Sequence, residues 1–234
     1  MSTAAPSSFD PRVPLLLTLS VATGLVDAIS VLGLGKVFTA NMTGNVVFLG
    51  FAVAGTPNFH ASSYIVAIAA FLLGALIAGR TGKAHTDKPL RRWLLIAALV
   101  EASLLWIAAA VAIGFDVATQ SPDARLYAII ALTAVTMGFR NATIRQLRIP
   151  DLSTTVLTLT LTGLAADSSL AGGGNPNIGR RIAAVLAIFI GAVIGALLVS
   201  HWGLPVSLAM AGALVLIGTI ACAIHPSAAQ PARA

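Results

Sequence analysis

The chain has 234 residues, of which 57% are hydrophobic and only 9% are charged. Soluble domains carry roughly 25% charged residues, so too few charges are present here to cover a water-facing surface. The net charge of +6 does not indicate a nucleic-acid partner, because the basic residues are confined to short joints between apolar runs, where they orient membrane proteins.

The chain begins with a polar tail, residues 1–13, which lacks the basic region of a signal peptide. We therefore expect the first apolar run to be a membrane helix. Six runs reach the length of about 20 residues that a spanning helix needs. They are Pro14–Leu34, Ser62–Arg80, Arg92–Phe115, Arg125–Ile144, Arg181–Ser200 and Leu204–Ile224. The composition thus predicts a multi-pass protein whose partner is the lipid bilayer.

Two further stretches, Thr39–Gly55 and Leu152–Ala166, are shorter and rich in hydroxyl or amide side chains. A membrane segment must satisfy its backbone polar groups internally. Each stretch therefore either crosses as a short buried helix or enters the membrane and returns on the same side.

The segments recur in the same order in two parts of the chain, and several residues recur with them. Gly24 matches Gly138, Asp27 matches Asn141, and Ala28 matches Ala142. Further along, the stretch Gly74–Gly79 matches Gly191–Ala196. Chance likeness between apolar segments is the alternative explanation. The shared order predicts two homologous membrane repeats, 14–115 and 125–224, with an acidic linker, 116–124, and a C-terminal tail, 225–234.

The basic residues distinguish two topologies. With three spans per half and the N-terminus inside, twelve of the 14 Lys and Arg residues lie on the cytoplasmic side, and only Lys36 and Arg125 lie outside. With four spans per half, the best division is nine against five. The positive-inside rule favours an all-α membrane protein with six spanning helices and two re-entrant segments. The alternative of eight helices, four per half, remains open.

The densest polar cluster in an apolar setting is the string Thr39–Asn45, with Asn41, Thr43 and Asn45 as candidate binding residues. Thr155 and Thr158 are the candidates in the matching stretch of the second half. Interrupted segments at matching places in two halves are typical of transporter binding sites. The structural alternative is that Ser, Thr and Asn simply hold membrane helices together.

Asp27 is the sharpest single candidate, because a carboxylate well inside an apolar run is costly and indicates function. Its candidate partners are Arg140 and Asn141, in the matching stretch of the other half. We hypothesise a proton or cation site at Asp27; the alternative is a buried Asp–Arg or Asp–Asn lock between the halves. Glu101, in the third run, either faces the same site or lies nearer the membrane surface.

The remaining patterns point to packing and not to chemistry. Gly74, Ala78, Gly191 and Gly195 form small-residue ridges that predict close helix packing. The single cysteine, Cys222, and four scattered histidines form no metal-ligand pattern, so neither a metal nor another cofactor is predicted. Catalytic and nucleotide-binding motifs are also missing, which makes an enzyme the less favoured class.

Two strings resemble the YoaK family of bacterial inner-membrane proteins. The first is Gly24–Ser30 followed by Val37–Asn45, and the second is Gly138–Ala142 followed by Ile149–Thr158 and Leu161–Gly163. Leu159 departs from the pattern, which has glycine at that place. The resemblance implies a multi-pass protein of the bacterial inner membrane. Because the family's function is unknown, the resemblance implies no site residue.

The leading functional hypothesis is a secondary transporter or channel for a small polar solute, coupled to protons through Asp27. One alternative is an intramembrane enzyme that acts on a lipid-linked substrate. Another is a structural membrane partner. Assembly as a homo-oligomer is compatible with each of them.

Overall fold

A computed structural model describes residues 12–85, 88–147 and 157–224, and every regular element within them is helical. The helices are α1 (Arg12–Gly33), α2 (Met42–Val53), α3 (Ala61–Lys83), α4 (Leu90–Val111), α5 (Asp123–Leu147), α6 (Leu157–Ala166) and α7 (Ile178–Ala223), with a single 3₁₀ turn (Ser169–Ala171) before α7. The predicted candidate Thr155 lies outside the described residues.

Five of these helices, α1, α3, α4, α5 and α7, are long and apolar enough to cross a membrane. The other two, α2 and α6, have 12 and 10 residues. At 1.5 Å per residue they rise only about 18 and 15 Å, against a hydrocarbon core of about 30 Å. The prediction of an all-α membrane protein is therefore confirmed.

Helix α7 is interrupted at Gly203. It contains 46 residues, and Gly203 has φ 75° and ψ −179°, which is not helical. Glycine adopts this positive φ without steric penalty. Pro205 follows two residues later and lacks a backbone amide, so it suits the first turn of a new helix. The interruption lies in the gap predicted between the fifth and sixth apolar runs.

The two arms of α7, 178–202 and 204–223, run in opposite directions along α1. In the first arm, Gly191 packs against Val21 and Leu25, and Gly195 packs against Leu25 and Ala28. Residue numbers therefore increase in the same direction along both helices, so this arm is parallel to α1. In the second arm the order is reversed, because Leu204 contacts Gly33 and Gly218 contacts Thr18. Helix α7 is thus a hairpin that could cross a membrane twice.

Side-chain contacts give the direction of α3 and α5. Near their starts, the hydroxyls of Ser62 and Tyr127 are 2.9 Å apart. Near their ends, the Gln146 amide donates to the carbonyl of Ala78 over 3.3 Å. Helices α3 and α5 are therefore parallel neighbours.

The loop that precedes α5 meets the end of α1. Gln120 in this loop donates to the carbonyl of Gly33 over 3.2 Å. Asp116 organises the same loop, since its carboxylate accepts hydrogen bonds from the Thr119 hydroxyl and the Ala118 amide, which hold the pKa of Asp116 below its usual range. The end of α1, the start of α5 and the start of α3 consequently share one face of the bundle.

Both short helices start and finish on one side of the bundle. Because α1 ends and α3 begins at the same face, α2 between them does not cross. Because α5 and the first arm of α7 run in opposite directions, α6 lies between two chain ends at the other face. The arrangement agrees with six crossings and two re-entrant segments, and it does not support the eight-span alternative.

We name the two ends of the bundle by their charge. The basic face contains most of the described Lys and Arg residues, namely Arg12, Arg80, Lys83, Lys88, Arg91, Arg92, Arg145, Arg180 and Arg181. The opposite face contains Lys36 and Arg125. The positive-inside rule predicts that the basic face is the cytoplasmic one.

This topology predicts a labelling pattern for single cysteines placed in a Cys222→Ala background. Lys36→Cys and Thr56→Cys, which flank α2 at exposed positions, are expected to react with an impermeant maleimide from the same side. Arg91→Cys, on the basic face, is expected to react from the other side. Reaction of the two flanking positions from opposite sides would show that α2 crosses.

Small residues allow two close helix crossings. At each of four glycines, an added Cβ would strike a backbone carbonyl of the facing helix; the pairs are Gly24 with Ile188, Gly191 with Val21, Gly138 with Phe71, and Gly74 with Val135. Helix α1 crosses the first arm of α7, and α3 crosses α5. The residues predicted to pack, Gly74, Ala78, Gly191 and Gly195, all lie at these crossings.

Candidate functional site

Asp27 lies on α1 and holds the start of α2. Its Oδ1 accepts a hydrogen bond from the Ala40 amide over 2.9 Å, and the backbone groups of Thr39 and Asn41 also interact with this carboxylate. These three residues immediately precede Met42, the first residue of α2. Asp27 therefore fixes the loop that leads into α2, close to the helix N-terminus, where the helix dipole favours a negative charge.

The position of Asp27 sets the depth of α2. Asp27 is six residues before Gly33, where α1 ends, which corresponds to about 9 Å along the helix axis. The chain therefore turns back from the end of α1 to the level of Asp27 before α2 begins. Helix α2 then runs outward to the α3 start, where Phe48 packs on Tyr64 with ring centroids 5.8 Å apart.

Asn45 fixes the loop that carries these amides. Its side-chain oxygen accepts from the Phe38 amide over 2.9 Å, and its side-chain nitrogen donates to the Phe38 carbonyl over 2.6 Å. Both bonds join the first turns of α2 to the loop, and Asn45 is fully buried. Its polar side chain is used to hold the backbone in place.

The rest of the polar string divides into outward and inward residues. Asn41 and Thr43 are exposed on the surface of the described chain. Thr39 is fully buried, and its hydroxyl has no hydrogen-bond partner. The hydroxyl of Thr39 is therefore a buried polar group of this segment that no described residue satisfies.

A buried ion pair joins α4 and α5. The Nε of Arg140 donates to the Glu101 carboxylate over 2.7 Å, and the two residues are 0% and 3% exposed. The expected pairing of Arg140 with Asp27 is wrong, because Arg140 turns to α4 and Asp27 turns to the start of α2. Asp27 and Arg140 lie one position out of register in matching stretches of two different helices, and each faces its own neighbours.

Within the described part of the chain, the terminal nitrogens of Arg140 have no hydrogen-bond partner. Both Nη1 and Nη2 are buried and have no hydrogen-bond partner. Trp93, on α4, is 5% exposed, and its Nε1 also has no partner. Its ring packs on Phe139, the neighbour of Arg140, at 5.9 Å between centroids. The interface between α4 and α5 thus contains hydrogen-bond donors without acceptors among the described residues.

The second short helix is held differently from the first. Arg181 reaches its C-terminal end and donates to the Gly163 carbonyl over 2.6 Å and to Asp167 over 2.8 Å. On α6, Thr158 is exposed, whereas Thr160 is buried. Asn141, on α5, donates to the Met137 carbonyl of its own helix over 2.9 Å.

The structure brings together only some of the predicted residues. Asp27, Asn41 and Asn45 meet at the start of α2, and Arg140 meets Glu101. Trp93 and Thr39 were not predicted to be site residues. The available signal for Trp93 was its spacing, since Trp93, Ala97 and Glu101 are each four residues apart and lie on one face of α4.

Comparison with known proteins identifies related sequences but no related structure. A family model described as a protein of unknown function (DUF1275) matches residues 15–221. The UPF0700 transmembrane protein YoaK of Bacillus subtilis (strain 168) is 34% identical over 162 residues, which cover 68% of this chain and 68% of that protein. No solved structure matches the chain. The resemblance seen in the sequence is confirmed.

Proposed function

The chain belongs to the DUF1275 family of proteins of unknown function, and we propose that it is a secondary transporter or channel for a small polar solute in the bacterial inner membrane. The observation that carries this proposal is the pair of short helices, α2 and α6, at opposite faces of the bundle. In secondary transporters, discontinuous helices at matching places in two inverted halves form the solute and ion sites.

The glycine crossings support inverted repeats. In the first half, Val21 and Gly24 stand three residues apart on α1, and their partners on α7 are Gly191 and Ile188. On α5, Val135 and Gly138 have the same spacing, and their partners on α3 are Gly74 and Phe71. Each crossing therefore uses one helix from each half in the same register, as expected when a two-fold axis in the membrane plane relates 14–115 to 125–224.

This exchange of helices suits alternating access. Each half supplies one helix to each of the two crossings. Movement of the α1–α7 pair against the α3–α5 pair would therefore rearrange both short helices together. Helix α2 would then open toward one side of the membrane and α6 toward the other. A structural membrane partner would not need the unpartnered donors of Arg140, and these donors favour transport over that alternative.

Asp27 is the residue that we propose to carry the coupled proton. The carboxylate is held by backbone amides at the N-terminus of α2, and those amides favour its charged form. Protonation would remove the charge that fastens α2 to α1. The proton would thereby release a short helix that faces one side of the membrane.

Transport can be tested without knowing the solute. Liposomes that contain the purified protein are loaded with the small-molecule fraction of a bacterial extract, and the compounds that leave are identified by mass spectrometry, with and without a pH gradient. We expect one chemical class to leave faster than from protein-free liposomes, and faster still down a pH gradient. Asp27→Asn is expected to keep the hydrogen bond from Ala40 and to lose the effect of the gradient.

The controls separate transport from coupling. Asp123→Asn, at an exposed position in the first turn of α5, is the matched carboxylate change and should leave the gradient effect intact if Asp27 alone carries the proton. If no compound leaves the wild-type liposomes faster than the protein-free ones, transport is refuted. If Asp27→Asn exports with the wild-type pH dependence, only the proton role is refuted.

A further inference from the structure

We propose that Arg140, assisted by Trp93, binds the carboxylate group of a small monoanionic solute at the interface between α4 and α5. This inference names the substrate class and rests on the proposed function for the idea that the bound anion is the transported one. Its physical basis is a fully buried guanidinium whose outer edge is unpartnered within residues 12–85, 88–147 and 157–224.

Burial makes the unpartnered edge unusual. Buried polar groups in proteins nearly always have a hydrogen-bond partner, and leaving a charged group without one is costlier than leaving a neutral group. Arg140 uses Nε for Glu101 and leaves Nη1 and Nη2 without acceptors. The four N–H groups on these two atoms have no acceptor among the described residues, so they are free to bind a ligand.

The geometry of the free edge selects an acceptor with two oxygens. A guanidinium presents parallel N–H groups in one plane, and a carboxylate accepts two of them at once. The contact with Glu101 is made through Nε, so that carboxylate does not occupy the edge between Nη1 and Nη2. A second carboxylate bound at that edge would not have to displace Glu101.

Charge limits the ligand to a monoanion. Glu101 and Arg140 together carry no net charge, so each negative charge on a ligand is added to a buried neutral pair. The cost of burying uncompensated charge rises with its magnitude. A monocarboxylate adds one charge, whereas a doubly charged phosphate adds two.

Trp93 is an independent second donor. Its indole nitrogen can donate but not accept a hydrogen bond. It is buried without a partner on the same face of α4 as Glu101, and its ring rests on Phe139 beside Arg140. Arg140 and Trp93 thus each bring an unpartnered donor to the interface of α4 and α5, and together they favour an acceptor-rich ligand.

The protein surface nearest to this part of the α4–α5 interface is positively charged. Trp93 is two residues after Arg91 at the start of α4, and Arg140 is five residues before Arg145 near the end of α5. Arg91, Arg92 and Arg145 are exposed at the basic face. A surface of one sign raises the local concentration of small ions of the opposite sign, so anions would enter from this face.

Anion binding can be measured on the purified full-length protein in detergent, independently of transport. The probes are a series of monocarboxylates of increasing length, the amides of the same acids as neutral isosteres, and inorganic phosphate, all at constant ionic strength set with chloride. We expect at least one carboxylate to raise the thermal unfolding midpoint in a saturable way, and its amide to leave the midpoint unchanged.

Variants of Arg140 and Trp93 test whether these residues cause the rise in the unfolding midpoint. Arg140→Lys is expected to weaken carboxylate binding by at least about tenfold, because lysine cannot offer two parallel donors. Trp93→Phe keeps the ring and removes one donor, so a loss of about fivefold is expected. Arg145→Lys, at the exposed end of α5, is the matched control and should bind like the wild type. Trp93→Phe keeps the test decisive if Arg140→Lys does not fold.

Several results would overturn the inference. These are equal shifts with acids and amides, a carboxylate shift that both variants retain in full, a shift with phosphate alone, and no shift with any anion. Binding without export from liposomes would leave the site in place and refute transport. Export of a neutral solute without anion binding would refute the site and leave transport in place.

Discussion

Replacement of Glu101 with leucine is expected to lower the free energy of unfolding by about 3–5 kcal/mol, the loss typical of a broken buried ion pair. Arg140 would then be left charged and fully buried with no carboxylate on any of its nitrogens. The measurement is unfolding of the purified protein by SDS titration in mixed micelles. Arg145→Leu, which removes an exposed charge from α5, should change the free energy by less than about 1 kcal/mol.

The double replacement Glu101→Leu with Arg140→Leu separates structure from function. Apolar residues of similar volume often replace a buried ion pair at little or no cost in stability. The double variant is therefore expected to regain most of the loss, yet to bind no carboxylate. If it remains as unstable as Glu101→Leu alone, the pair serves to hold α4 against α5, and its interpretation as a ligand site would be contradicted.

Replacement of Gly138 with alanine is expected to destabilise the protein by about 2–4 kcal/mol, although alanine is the better helix former. The added Cβ would strike the carbonyl of Phe71, and a backbone atom cannot rotate away as a side chain does. Helices α3 and α5 would have to separate. Unfolding is measured as for Glu101→Leu.

Two further glycines provide the comparison. Gly79→Ala has open space around the new Cβ, so it should raise stability by up to about 1 kcal/mol through helix propensity alone. Gly24→Ala meets the carbonyl of Ile188 at the equivalent crossing and should cost about as much as Gly138→Ala. A cost at Gly138 equal to that at Gly79 would contradict the close crossing. Unequal costs at Gly24 and Gly138 would weaken the case for inverted repeats.

The number of helices and their boundaries could be predicted because they depend on local composition. Apolar runs of spanning length and basic joints placed the long helices, and the small residues at Gly74 and Gly191 marked where helices approach closely. Gly203 and Pro205 are local signals of a helix break. The gap between the fifth and sixth predicted runs lies at the same place. The two short polar stretches were also visible, because their length alone prevents an ordinary crossing.

The partners of the buried charges could not be predicted from one sequence. Spacing assigns Arg140 to a face of α5, but nothing in the spacing says that this face meets α4. The location of Asp27 and Arg140 in matching stretches of the two halves suggested contact, whereas a two-fold relation gives equivalent stretches different neighbours. Asn45 shows a second limit: its amide was a reasonable binding group, and only the fold reveals that the Phe38 backbone uses it.

The single-residue turn at Gly203 has a consequence for biogenesis. With no loop between them, the two arms of α7 cannot enter the bilayer one after the other as separate stop and start signals. They must insert as one helical hairpin, with Trp202 at its tip exposed to the surroundings. The two arms of α7 are therefore added to the nascent protein as a unit. Helix α1, on which both arms pack, is already in the membrane at that point.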